Sequence, residues 1–175
     1  DQVELALLGK CVRRIAVALP SRAADNLFWL GRYLERAEAT LRLVRALCTS
    51  LMDSDSTVHS AGVTLTGLEG LLISWGALAK EALGERAGDA AVDALHDEAA
   101  YGSVIYLVRS ARRAAASLRE RLSGDFWTLL LKLEQRLLRD VRAPTSEAAT
   151  LEQVESALQT LAALAGLAQE NMTRG

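Results

Sequence analysis

Within the stretch SRAADNLFWLGRYLERAE, Ser21 to Glu38, residues that make directional contacts recur at helical spacing: Arg22, Asn26, Trp29, Tyr33 and Arg36. At about 100° per residue they fall on one line of a helix. Trp and Tyr carry a large apolar body with one polar tip, and Asn and Arg bring several donors that need partners when buried. Guanidinium forks suit carboxylates and phosphates, so this line could receive an anionic group or a partner helix. Asp25 and Arg32 border it at about 40° to 60°. The same residues also fit a purely structural role, in which Asp25, Glu35 and Arg36 pair with arginines of a neighbouring helix and fix its register. Pairs of that kind often add little stability and instead specify one arrangement. An enzymatic role would make Glu35 an acid or base beside arginines that hold a carboxylate. Its wheel position, about 100° from Arg36, points to the solvent side.

Further along, Arg109, Arg112 and Arg119 form a similar line, which could face the first or be a solvated basic face balanced by Glu120. Other chemistry has little support. His59 and His96 are the only imidazoles and neither has a second metal ligand at helical spacing, so no metal site is assigned. There is no GxxxxGKS phosphate loop and no GxGxxG after a strand, and no cofactor is assigned. Nothing marks a Ser-His-Asp or Cys-His arrangement. Trp29, Trp75 and Trp127 are read as inward-facing core.

The element that positions the first line is a long helix predicted over Arg22 to Leu51, with Ser21 as N-cap and Pro20 discouraging helix before it. Leu27, Leu30, Leu34, Ala37, Leu41, Val44, Cys48 and Leu51 step by threes and fours and form its core seam. Residues 1–19 read as a linker or short helix that Pro20 stops. Asp1, in place of Met, suggests that they trail from an upstream domain. A helix from Leu65 to Leu83, using Leu68, Leu72, Trp75 and Ala79, tolerates Gly67, Gly70 and Gly76. A short helix capped by Asp89 follows. A seam of Val104, Val108, Ala111, Ala115, Leu118 and Leu122 then predicts a helix ending at Ser123-Gly124. Ser123 caps the next, with Phe126, Leu130, Leu133, Leu137 and Val141 inward and Pro144 closing it. Thr150 with Gln153 reads as a capping box for the last helix. The pattern predicts an all-α fold for residues 20–175, an antiparallel bundle of five or six helices with one long first helix.

The chain's 175 residues, half of them apolar, suffice for one buried core. A net charge of −2 gives no field to attract a polyanion, which argues against nucleic acid as partner. No apolar run approaches the ~20 residues of a membrane span. The N-terminus lacks a secretory pattern because Lys10, Arg13 and Arg14 interrupt it. Cys11 and Cys48 form no CxxC, and a disulfide is not expected. A cytoplasmic location is the consistent expectation.

The stretch SRAADNLFWLGRYLERAEATLRL closely resembles the opening of the alpha-E domain family, bacterial helical domains named for a Glu-Arg motif, here Glu35-Arg36. Ser21, Arg22, Asp25-Asn26-Leu27, Trp29, Gly31-Arg32-Tyr33 and Glu35 to Glu38 carry the match. It resumes more loosely from Ala111-Arg112 to Arg119, from Ser123 to Trp127, at Gly166-Leu167 and over Asn171 to Arg174. Ala114 and Ala116 depart from it, where the family often has Asn and Arg, so a polar site shared by the two helices would be impoverished. Family members are usually longer, with a second Glu-Arg segment, so this chain looks like an N-terminal half. The resemblance implies association with circularly permuted ATP-grasp ligases, in cis or in trans, and a part in peptide synthesis or modification, with no activity for the helical domain itself. The expectation is therefore a non-catalytic module that docks on such a ligase or positions its substrate, using Arg22, Asn26, Trp29, Tyr33, Arg36 and Arg112. The alternatives are a peptide-modifying enzyme using Glu35 with an arginine pocket, and a homodimer in which exposed seams pair two copies.

Overall fold

The computed structural model describes residues 21–53, 65–80, 87–140 and 146–173. The expectations for residues 1–19, Pro20, Cys11, His59, Val141 and Pro144 lie outside them. The described residues form helices α1 (Ser21–Asp53), α2 (Leu65–Ser74), α3 (Ala87–His96), α4 (Val104–Ala116), α5 (Gly124–Asp140) and α6 (Glu147–Thr173), and among them there is no strand. The all-α reading with a long first helix holds.

Helix α1 is the central post, packed most extensively on α4 and α6 and also on α2 and α3. Its seam behaves as the spacing predicts: Leu30, Ala37, Leu41, Val44 and Cys48 are buried, with Leu27, Leu34 and Leu51 partly buried against them. Ala111, Ala114 and Ala115 of α4 are buried too, and such small side chains let helices approach closely. Ile105, Val108, Phe126, Leu130 and Leu164 fill the surrounding space. Burying each such large side chain contributes about 1.5–3 kcal/mol before the conformational entropy it loses.

Four element ends differ from expectation. Helix α2 stops at Ser74, well before Leu83, because Gly76 takes φ +74°. Gly76 N–H donates to Ile73 O and Ala77 N–H to Leu72 O, both at 2.9 Å, the paired bonds of a Schellman ending with glycine just past the cap. Trp75 therefore leaves the helix at its C-cap. Helix α4 ends at Ala116 with Ser117 as C-cap, and residues 117–122 form turns from which Leu118 still reaches the core. Helix α6 starts a turn before Thr150, since Ser146 Oγ accepts from Ala149 N–H at 3.2 Å. Thr150 is buried inside the helix, and its hydroxyl donates to Ser146 O. Asp89 likewise sits in the first turn of α3 rather than capping it. Ser123 caps α5 as expected, accepting from Phe126 N–H at 3.1 Å.

Candidate functional site on the first helix

The polar line of α1 divides into two parts. At its C-terminal end Arg36 donates to the carbonyl of Trp75 at 3.1 Å, and Thr40, one turn on, donates to the carbonyl of Gly102 at 3.0 Å. These carbonyls belong to two loops that cross backbone to backbone, with Gly102 N–H donating to Gly76 O at 2.9 Å. A Cβ on Gly102 would come within 2.7 Å of Gly76 C and 2.8 Å of Ala77 N, so only glycine permits the crossing. The ring of Tyr101 lies where a Cβ of Gly76 would have to go. Arg36 thus binds the C-terminal end of α2, where helix carbonyls lack partners and partial negative charge collects. The paired-arginine network expected for Arg36 is replaced by this contact to backbone.

Toward the N-terminus the line is open. Trp29 is 51% exposed and Phe28 60%. Their rings meet edge to face, with centroids 5.5 Å apart, and Trp29 stacks on Tyr33 at 5.8 Å. Such contacts favour this mutual arrangement of the three rings. Arg22 and Asp25 are exposed, and Asn26 and Tyr33 are partly buried. Glu35 pairs with Arg32 of its own helix at 2.8 Å, its side chain 68% exposed, so it neither reaches a neighbouring helix nor faces an arginine pocket. The inward placement expected for the tryptophans fails at Trp29 and at Trp75, which is also exposed, because one lies on the flank of α1 and the other beyond the end of α2. Trp127 is partly buried, with the guanidinium of Arg119 4.7 Å from its ring centre.

Arg109 and Arg112 do not face the α1 line. They converge on Glu134 of α5, a buried carboxylate, at 3.4 and 2.6 Å, and Arg109 also pairs with Glu98. The balancing charges are therefore Glu134 and Glu98, not Glu120. On the same helix Ala114 is buried and Ala116 exposed. The site residues thus separate into the open aromatic line with Arg22, Asp25, Asn26, Arg32 and Glu35, the Arg36 contact, Arg109 and Arg112 on Glu134, and Arg119, which lies beyond the end of α4 over the Trp127 ring rather than on their line. Thr40 and Phe28 belong with the first two and were overlooked in the sequence, although Thr40 extends the line one turn beyond Arg36. Glu134 gave no local signal, since its partners come from another helix.

Burial pushes the Cys48 thiol up to about 11, with Glu147 adding to the effect, and so disfavours a reactive thiolate. Burial also lowers the His96 pKa, opposed by Gln153, Asp140 and the Leu137 backbone. His96 Nε2 lies 3.4 Å from Gln153 Oε1, where α3 meets α6. Among the described residues no group of three or more His, Cys, Asp or Glu side chains could hold a metal ion. No described helix is long and apolar enough to cross a membrane.

A family model described as a predicted alpha-helical domain with a conserved ER motif matches residues 19–175. The chain belongs to the alpha-E family. The two members of the Glu35-Arg36 pair, which carries the resemblance described above, act apart: Glu35 pairs at the surface with Arg32 while Arg36 holds the end of α2. No curated protein and no solved structure matches the chain.

Proposed function

We propose that this alpha-E domain is a non-catalytic docking module that acts with an ATP-grasp ligase, in the same chain or a separate one, in peptide synthesis or modification. The ligase is received on the open line of Arg22, Asn26, Trp29 and Tyr33, where docking positions it or its peptide substrate. The observation that carries this reading is the exposed aromatic group at the start of α1, held in order by ring–ring contacts. Aromatic residues and Arg are the types that concentrate binding energy at protein interfaces, and rigid rings lose little entropy on binding. Arg22 adds a planar donor fork for a carboxylate beside them. The ATP-grasp partner itself rests on the family resemblance.

The test is calorimetric titration of the purified chain with a circularly permuted ATP-grasp ligase, alone and with ATP. Saturable binding that Trp29→Ala weakens at least about tenfold, in a variant that stays folded, is the expected result. Absence of binding, or unchanged affinity in Trp29→Ala and Tyr33→Ala, overturns the reading. Glu35→Gln is expected to leave the pathway's activity intact, and loss of turnover with binding preserved would instead indicate an enzymatic role for that carboxylate.

A further inference from the structure

The outermost face of α1, opposite its core seam, carries a pattern that is its own complement. Asp25 and Arg32 lie within about 20° of each other on the helix, and Phe28 and Trp29 stand about 50° to either side of them. All four are exposed. Along the helix, the midpoint between Asp25 and Arg32 is also the midpoint between Phe28 and Trp29.

We propose that a second copy of this chain docks here, crossing α1 antiparallel about a two-fold axis through that midpoint. In this homodimer Asp25 of each copy meets Arg32 of the other, on both sides of a centre made by the Phe28 and Trp29 rings. The symmetry decides the geometry. A two-fold interface presents one patch to itself, so each residue must meet a complementary residue of the same patch. Parallel crossing at this point would set Asp25 against Asp25 and Arg32 against Arg32, whereas antiparallel crossing sets opposite charges together and closes apolar rings on apolar rings. Asp25 has no ion-pair partner among the described residues, and Arg32 spends one of its five N–H groups on Glu35. A Cβ on Gly31, beside Arg32, would meet nothing within 4 Å, so the neighbouring surface is open to a crossing helix. The patch is small beside the roughly 800 Å² per partner of a standard interface, so association depends on concentration and weakens with salt.

This inference does not rest on ligase docking, and because Trp29 belongs to both surfaces a second copy and a docked ligase would compete for it. Asp25 and Arg32 therefore carry the test, which is sedimentation equilibrium of the whole chain over a wide concentration range. A dimer is expected in the parent. Asp25→Arg or Arg32→Asp sets like charges opposite one another and is expected to weaken it about tenfold. The double variant, Asp25→Arg with Arg32→Asp, restores opposite pairs and is expected to recover dimerisation. Circular dichroism confirms that each variant is folded, as their exposed positions predict. A parent that stays monomeric at the highest concentration, single reversals that dimerise like the parent, or a double reversal no better than the singles would each overturn the proposal.

Discussion

The two ends of the polar line on α1 are built from similar residues and put to opposite uses. At Arg36 and Thr40 the side chains end on backbone carbonyls of crossing loops, so directional donors complete the fold. At Trp29 and Tyr33, within two turns, the rings are ordered against each other and left in contact with water. Residue type alone therefore does not distinguish a structural contact from a binding surface. What distinguishes them is whether the rest of the chain returns to cover the position. Loops 75–77 and 100–103 return at Arg36, and no described element covers Phe28 or Trp29.

Mutations can sharpen that contrast, because the covered end should respond in stability and the open end in binding. Leu41→Ala, in the fully buried seam beside Thr40, sets the scale, with an expected loss of about 2–5 kcal/mol in chemical denaturation. Gly102→Ala should cost about 1–3 kcal/mol, since its methyl group would press the two loop backbones apart. A pH titration of stability probes the packed side through His96. Its pKa is lowered from 6.5 in the folded state, so below that pH the unfolded chain takes up a proton that the folded chain resists. Stability contributed by this group should be intact above about pH 7 and fall as pH drops through 6.5, by less than 1.4 kcal/mol per pH unit. His96→Gln should flatten that fall in thermal melts across the same range. Arg36→Ala should cost about 1 kcal/mol, a charge-assisted bond discounted for partial exposure. No loss at all would break the contrast, because Arg36 would then be free for a partner. Trp29→Ala should change stability by about 0.5 kcal/mol or less while weakening association. A loss comparable to Leu41→Ala would show that the open end is structural after all.

Most of the fold could be read from local pattern, and the failures that bear on the site share one cause. The α1 seam was legible because eight apolar positions at unbroken three-and-four spacing admit few other readings, and the structure buries them in whole or part. Ser123 was legible because a cap is a contact within one turn. The end of α2 was misread, although Gly76 carries the signal of a left-handed cap, because the apolar spacing continues past it through Trp75 and Ala79. What fixes the break is the crossing with Gly102, a distant partner. The α4 arginines were visible as a line, but Glu134 lies on another helix and no spacing joins them. At the candidate site, the helix that carries the residues of the Glu-Arg stretch could be read from the spacing. Their division into covered and open parts depends on loops far away in sequence.

The clasp at Arg36 and Thr40 also bears on how the chain folds. Its bonds join residues 39 and 62 positions apart, and neither can form until α2 and the start of α4 have docked on α1. Closing such long loops costs entropy, and directional bonds to two loop carbonyls need the docked geometry as well, so the clasp is expected to form after the transition state. Thr40→Val is therefore expected to accelerate unfolding and leave the folding rate nearly unchanged, whereas Leu41→Ala, in an apolar seam of the kind a transition state already largely buries, should slow folding as well. Two adjacent residues on one helix would then divide the work, one governing how quickly the native state is reached and the other how long it lasts.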